Sequence, residues 1–163
     1  MFPDDIDALA RQVVEAAVAR GLMIATAESC TGGLVAGSLT AVAGSSAALD
    51  RGFVTYSNAA KSEMLGVPAD LIGAHGAVSE PVARAMAEGA VERSDATVSV
   101  AVTGIAGPGG GSDEKPVGLV HFAASGPAGL IHVKHRFGDP GRETIRLESV
   151  RVALRLLLDR IGG

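Results

Sequence analysis

Ile6, Leu9, Ala10, Val13, Val14 and Ala17 recur at i, i+3, i+4, i+7, i+8 and i+11, which predicts an amphipathic helix from Ile6 onward. Asp4 or Asp5 can cap that helix and Gly21 can end it. Residues 22–27 (LMIATA) form a short apolar run between Gly21 and a polar turn, as expected of a buried strand. The turn, 28–33 (ESCTGG), leads into a helix over 33–42 that is rich in small residues able to approach a sheet closely. A strand, a glycine-bearing loop and a helix in that order can present backbone N–H groups to an anion. On local grounds Thr31 can equally be a helix cap, with Gly32 and Gly33 merely permitting the turn.

Further on, 51–57 (RGFVTYS) reads as a strand and 58–65 as a helix capped by Ser57 or Asn58. A second short helix is expected over 68–72 and a loop over 73–78. Ser79 is placed to cap a helix over 80–93, with Pro81 in its first turn and Val82, Met86 and Ala90 along one face. Residues 97–102 (TVSVAV) are a β-rich run that delivers Thr103 into 104–116, a loop with five glycines, more than a simple turn requires. Strands over 117–124 and 130–137, separated by SGPAG, predict an antiparallel hairpin. The last helix spans 141–161, with Leu147, Val150, Leu154, Leu157, Leu158 and Ile161 on its core face. Strands alternating with helices, plus one hairpin, predict a layered α/β protein with a mixed sheet.

Composition narrows what such a fold can do. The chain has 163 residues, 47% of them hydrophobic and 20% charged, which fits one globular domain with a proper core. Its net charge is −4, its basic residues are dispersed and its aromatics are scarce, so no nucleic-acid footprint is written here. Cys30 is the only cysteine, which rules out an internal disulfide. An acidic N-terminus and the lack of a membrane-length apolar run predict a soluble cytoplasmic protein that does not engage a membrane.

The candidate chemistry centres on 44–61 (GSSAALDRGFVTYSNAAK). A serine hydroxyl needs a base, and a lysine can serve when burial destabilises its ammonium. Ser46, Tyr56 and Lys61 contain those parts, and a position near a helix N-terminus would further depress the lysine. The bland reading is that Ser45 or Ser46 caps a helical turn near Ala47 and Lys61 lies on a solvated face. Ser29, at a strand-to-loop junction, is a second candidate nucleophile, and Cys30 a third for which no His is positioned as activator. Arg142 and Arg146, at i, i+4, can point the same way and bind a phosphate, or can be solvated. His121, His132 and His135 are spaced as ordinary strand residues and not as a metal motif.

The strings TAESCTGGLVAGSLT, GSSAALDRGFVTYSNAAKSEMLGV, HGAVSEPVARAMAEGA and AVTGIAGPGGGSDEKPVGLVHFA, followed by FGDPGRETIR, resemble the C-terminal domain of the competence/damage-inducible CinA family. The likeness covers nearly the whole chain, read as one domain over 1–163, with Pro140 and Gly141 standing as an insertion where the family pattern runs FGDR. It implies a three-layer α/β/α sandwich around a mixed, mostly parallel sheet, and a homodimer. It also implies a PncC-type amidohydrolase that deamidates nicotinamide mononucleotide, with no cofactor, no metal and no molybdopterin-binding-like domain. By resemblance Ser46 is expected as nucleophile, Lys61 as base and then acid, and Tyr56 as the group orienting the proton between them. The nucleotide would be held by Glu28, Ser29, Thr31, Gly32, Gly33, Thr103, Gly104, Gly107 and Arg142. A non-catalytic nucleotide-binding module of the same fold is the alternative, and a purely structural or interaction role a third.

Overall fold

The computed structural model describes residues 1–162. Its elements are α1 (Asp4–Arg20), β1 (Ile24–Glu28), α2 (Leu34–Thr40), a 3-10 turn (Ser45–Ala47), β2 (Leu49–Val54), α3 (Asn58–Leu65), α4 (Ala69–His75), α5 (Glu80–Glu92), β3 (Val98–Gly104), β4 (Leu119–Gly126), β5 (Gly129–Arg136) and α6 (Arg142–Gly162). The strands form one sheet in the order β2-β1-β3-β4-β5. β1 is parallel to β2 and β3, β4 is antiparallel to β3, and β5 is antiparallel to β4, so only β4 runs against the rest.

The two faces of the sheet are built from residues of different size. On one, Ile24, Val98, Val100, Val102, Val120 and Phe122 meet α1, α2 and α6. On the other, Ala25, Ala27, Ala101 and Ala123 meet α3, α4 and α5. Alternation along each strand puts the bulky set on one side and the small set on the other. The alanine face lets α5 lie close, and Ser99 Oγ, fully buried, donates to Ala87 O of α5 at 2.7 Å. The sheet is therefore covered on both sides, a three-layer α/β/α arrangement.

Several boundaries move for identifiable reasons. β1 begins at Ile24 because Gly21 adopts φ 63° and the Leu22 N–H is used in closing α1 on Ala17 O. β2 ends at Val54, since Ser57 turns outward to cap α3, its Oγ accepting from Ala60 N at 3.0 Å. α4 runs on to His75 through residues expected as loop. Ser79 does not cap α5; its Oγ donates instead to Gly76 O at 2.8 Å.

Candidate active site

The chain leaves β1 toward β2 and leaves β3 toward β4, so the loops at the carboxyl ends of these neighbouring strands diverge. A crevice at such a switch point is the usual binding place in open α/β sheets. Here it holds a cavity of about 260 Å³ walled by Ser29, Cys30, Tyr56, the 104–110 loop and Arg142.

Glu28, the last residue of β1, is fully buried under this crevice. Its carboxylate accepts from Val35 N (2.8 Å), Ala36 N (3.0 Å) and Thr26 Oγ1 (3.3 Å). Gly33, at φ 99°, makes the turn that brings those N–H groups round. The N-terminus of α2, which the strand–loop–helix order made one possible anion site, is thus already filled by the protein's own acid. Glu28→Ala should lower stability by about 2–3 kcal/mol, the cost of orphaning one buried and one partly buried N–H donor. Denaturant unfolding measures this, and an unchanged midpoint would contradict the capping role.

Ser29 follows directly, on the α3 side of the sheet. Its Oγ lies 3.1 Å from Lys61 Nζ, which also donates to Thr55 O at 2.8 Å. Lys61 is only 1% exposed, and no carboxylate pairs with it among the described residues. Burial therefore pushes its pKa below that of an ordinary lysine. The opposing pull would have to come from a Cys30 thiolate. Burial pushes the Cys30 thiol up to about 11, so near neutral pH it is uncharged and gives no such pull. The same burial leaves Cys30 a poor nucleophile.

Ser46 is elsewhere. It is exposed on the 3-10 turn that precedes β2, whereas Ser29 and Thr55 follow the strands β1 and β2. The length of β2, roughly 16 Å, separates that turn from the Lys61 end of the sheet. The expected Ser46–Lys61 pairing is not formed; the serine at Lys61 is Ser29. One signal could have identified it. Ser29, Lys61 and the 104–110 loop all follow a strand, while Ser46 precedes one.

Tyr56 also departs from the orienting role expected for it. It is 61% exposed, and its hydroxyl accepts from Arg142 Nη2 at 3.0 Å, with no hydrogen bond to Ser29 or Lys61 among the described residues. Arg142 Nη1 donates to Gly107 O at 2.7 Å, so Tyr56, Arg142 and Gly107 make one rim of the cavity. Arg146 does not join Arg142 as a phosphate ligand. Its guanidinium turns inward and donates to Cys30 O (3.1 Å) and Thr31 O (3.2 Å), bracing the turn that carries Ser29. Nothing in the sequence signalled that contact.

Of the residues expected to hold substrate, Ser29, Gly104, Gly107 and Arg142 line the cavity. Glu28, Thr31, Gly32 and Gly33 stand behind or beside it, and Thr103 Oγ1 donates to Ala77 O on the α5 side at 2.9 Å. The Cys30 and Thr31 N–H groups have no backbone acceptor among the described residues. Among those residues no helix is long and apolar enough to cross a membrane.

The family model for the CinA C-terminal domain matches residues 6–161. A CinA-like protein of Anaeromyxobacter sp. is 54% identical over 158 residues, 96% of this chain and 38% of the relative. The chain therefore spans under two fifths of the length of such curated relatives. A solved structure from Agrobacterium tumefaciens, described as competence/damage inducible protein CihA, is 55% identical with a TM-score of 0.97, covering 100% of this chain and 99% of that one. A Klebsiella pneumoniae structure, described as competence damage-inducible protein A, is 37% identical with a TM-score of 0.92, covering 97% and 98%. By the family match over nearly its whole length and by these relatives, this chain belongs to the CinA C-terminal domain family.

Proposed function

We propose that the chain is an amidohydrolase that deamidates nicotinamide mononucleotide to nicotinate mononucleotide and ammonia, with Ser29 as nucleophile and Lys61 as base. The observation that supports it most is the 3.1 Å contact between Ser29 Oγ and a buried lysine amine that lacks a carboxylate partner. Neutral Lys61 takes the Ser29 proton as Oγ attacks the carboxamide carbon. Free N–H groups of the 29–33 turn are the natural donors to the oxyanion. The Lys61 ammonium then protonates the amide nitrogen as the C–N bond breaks, releasing ammonia; a water attacks the acyl-enzyme ester, gives its proton to the same amine, and the amine returns it to Ser29 Oγ as the carboxylate product leaves. The nucleotide's phosphate falls to Arg142 and the 104–110 loop. With that chemistry go a role in pyridine-nucleotide salvage, a cytoplasmic location and a homodimeric assembly, as the family resemblance implies.

The test is ammonia release from nicotinamide mononucleotide by the purified, chelator-treated protein. Saturable nucleotide binding without product would instead make the chain a binding module. The pH profile adds a second check. Lys61 must be neutral to act, so kcat/KM should rise with pH along a limb whose midpoint lies below the ordinary lysine value of about 10.4. The same group works against stability. Its folded pKa is depressed, so its burial cost is largest below that lowered value and fades as pH rises toward the unfolded one. A rate that is flat or falling across this range would remove Lys61 as the base.

A further inference from the structure

We propose that a second pocket, between the N-terminal end of α5 and the β4–β5 hairpin, binds a small oxyanion: a phosphate group, free or carried on a sugar ester. This pocket encloses about 250 Å³, and Lys115, Lys134 and Arg136 line it together with Ser79 and His121. It shares no lining residue with the cavity at Ser29, and the inference does not depend on the reaction assigned there.

Three observations converge on an anion. Lys134 pairs with His121 and Arg136 with Leu119 across the β4–β5 ladder, so both cations rise from the sheet face that also carries His121. None of Lys115, Lys134 or Arg136 has a carboxylate within 4.0 Å among the described residues, although the chain as a whole is acidic. Two acids also line the pocket, against its three cations: Glu114 is in no ion pair among the described residues, and Glu80 is drawn to Arg84 (3.0 Å) and His132 (3.6 Å). Because Ser79 gives its hydroxyl to Gly76 O, the Glu80 and Val82 N–H groups at the start of α5 have no side-chain acceptor, Pro81 between them having no N–H.

His121 supplies a reporter. Its Nδ1 lies 2.9 Å from His132 Nε2, and burial, with the neighbouring His132, Lys134 and Lys115, pushes it down to about 4. It is neutral near pH 7 and adds a polar contact without charge. An anion offsetting the two lysines would raise its titration point.

The experiment titrates inorganic phosphate, and separately ribose 5-phosphate, into the full chain at low ionic strength. Calorimetry reads affinity and side-chain NMR reads the His121 ring. Wild type, Arg142→Gln, and the double variant Lys134→Gln with Arg136→Gln are compared. Lys134 and Arg136 are exposed, so an unchanged thermal midpoint is expected and confirms that the double variant is folded. The expected result is saturable binding that moves the His121 titration upward, survives Arg142→Gln, and weakens about 10-fold or more in the double variant, as loss of charge-assisted contacts predicts. Tighter binding of the ester identifies a sugar phosphate as the occupant, and equal binding identifies the bare oxyanion. Undiminished affinity in the folded double variant, or phosphate binding that leaves His121 unmoved, would overturn the site.

Discussion

Ser29→Ala and Lys61→Met should each lower ammonia release from nicotinamide mononucleotide by at least about 100-fold, while Ser46→Ala should leave it within about twofold of wild type. The first two remove the partners of the 3.1 Å contact. The third alters an exposed residue at the opposite end of β2. Lys61→Met keeps an unbranched chain in the buried slot and removes only the amine, so the protein should still fold, as circular dichroism would register. The double variant should lose little more than either single one, because a nucleophile without its base is nearly as idle as no nucleophile. Full activity in Ser29→Ala with loss in Ser46→Ala would move the chemistry to the other end of the sheet and defeat the proposed mechanism.

Gly89→Ala is expected to destabilise the protein by about 3 kcal/mol, the upper end of what overpacking costs. A Cβ on Gly89 would stand 2.0 Å from Leu65 O and 2.9 Å from Leu65 C, so backbone must move. The effect should reach the active site as well. Leu65 lies one turn beyond Lys61 on the short helix α3, and a shift there draws the amine away from Ser29. Misplacement by an ångström can cost on the order of 100-fold in rate. Denaturant midpoints together with kcat of the folded fraction test both parts. A variant as stable as wild type would mean that α3 and α5 are not held at this contact.

Much of the fold was legible because local pattern and tertiary need agree. α1 follows its apolar spacing to the glycine that closes it, and α3 starts at the serine that caps it. Two of the departures are places where a serine found a particular partner: Ser57 caps α3 instead of continuing β2, and the Ser79 hydroxyl turns to Gly76 O instead of capping α5. The site was legible in part for the same reason. Lys61 was a candidate by its place near a helix start, with its role as base implied by the family resemblance, and the structure buries it against a serine. Which serine it meets is a distance across the sheet, and spacing along the chain carries no such information. Nor could a sequence reveal that Arg142 and Arg146, one turn apart on α6, diverge to a tyrosine hydroxyl and to two buried carbonyls.

The Glu28 carboxylate seated on the start of α2 bears on how any nucleotide can be oriented. In many strand–loop–helix sites the helix start draws in the phosphate, and the rest of the ligand trails away from it. With the Glu28 carboxyl already occupying the N–H groups at the mouth of α2, the phosphate of the proposed substrate is left to the guanidinium of Arg142, on the far rim. On the proposed reaction, the nucleotide would then enter with its polarity reversed, the cationic nicotinamide ring leading toward the strand tips and the phosphate trailing. Placing the amide at Ser29, as the proposed mechanism requires, would then follow from a helix start that is already occupied as much as from attraction.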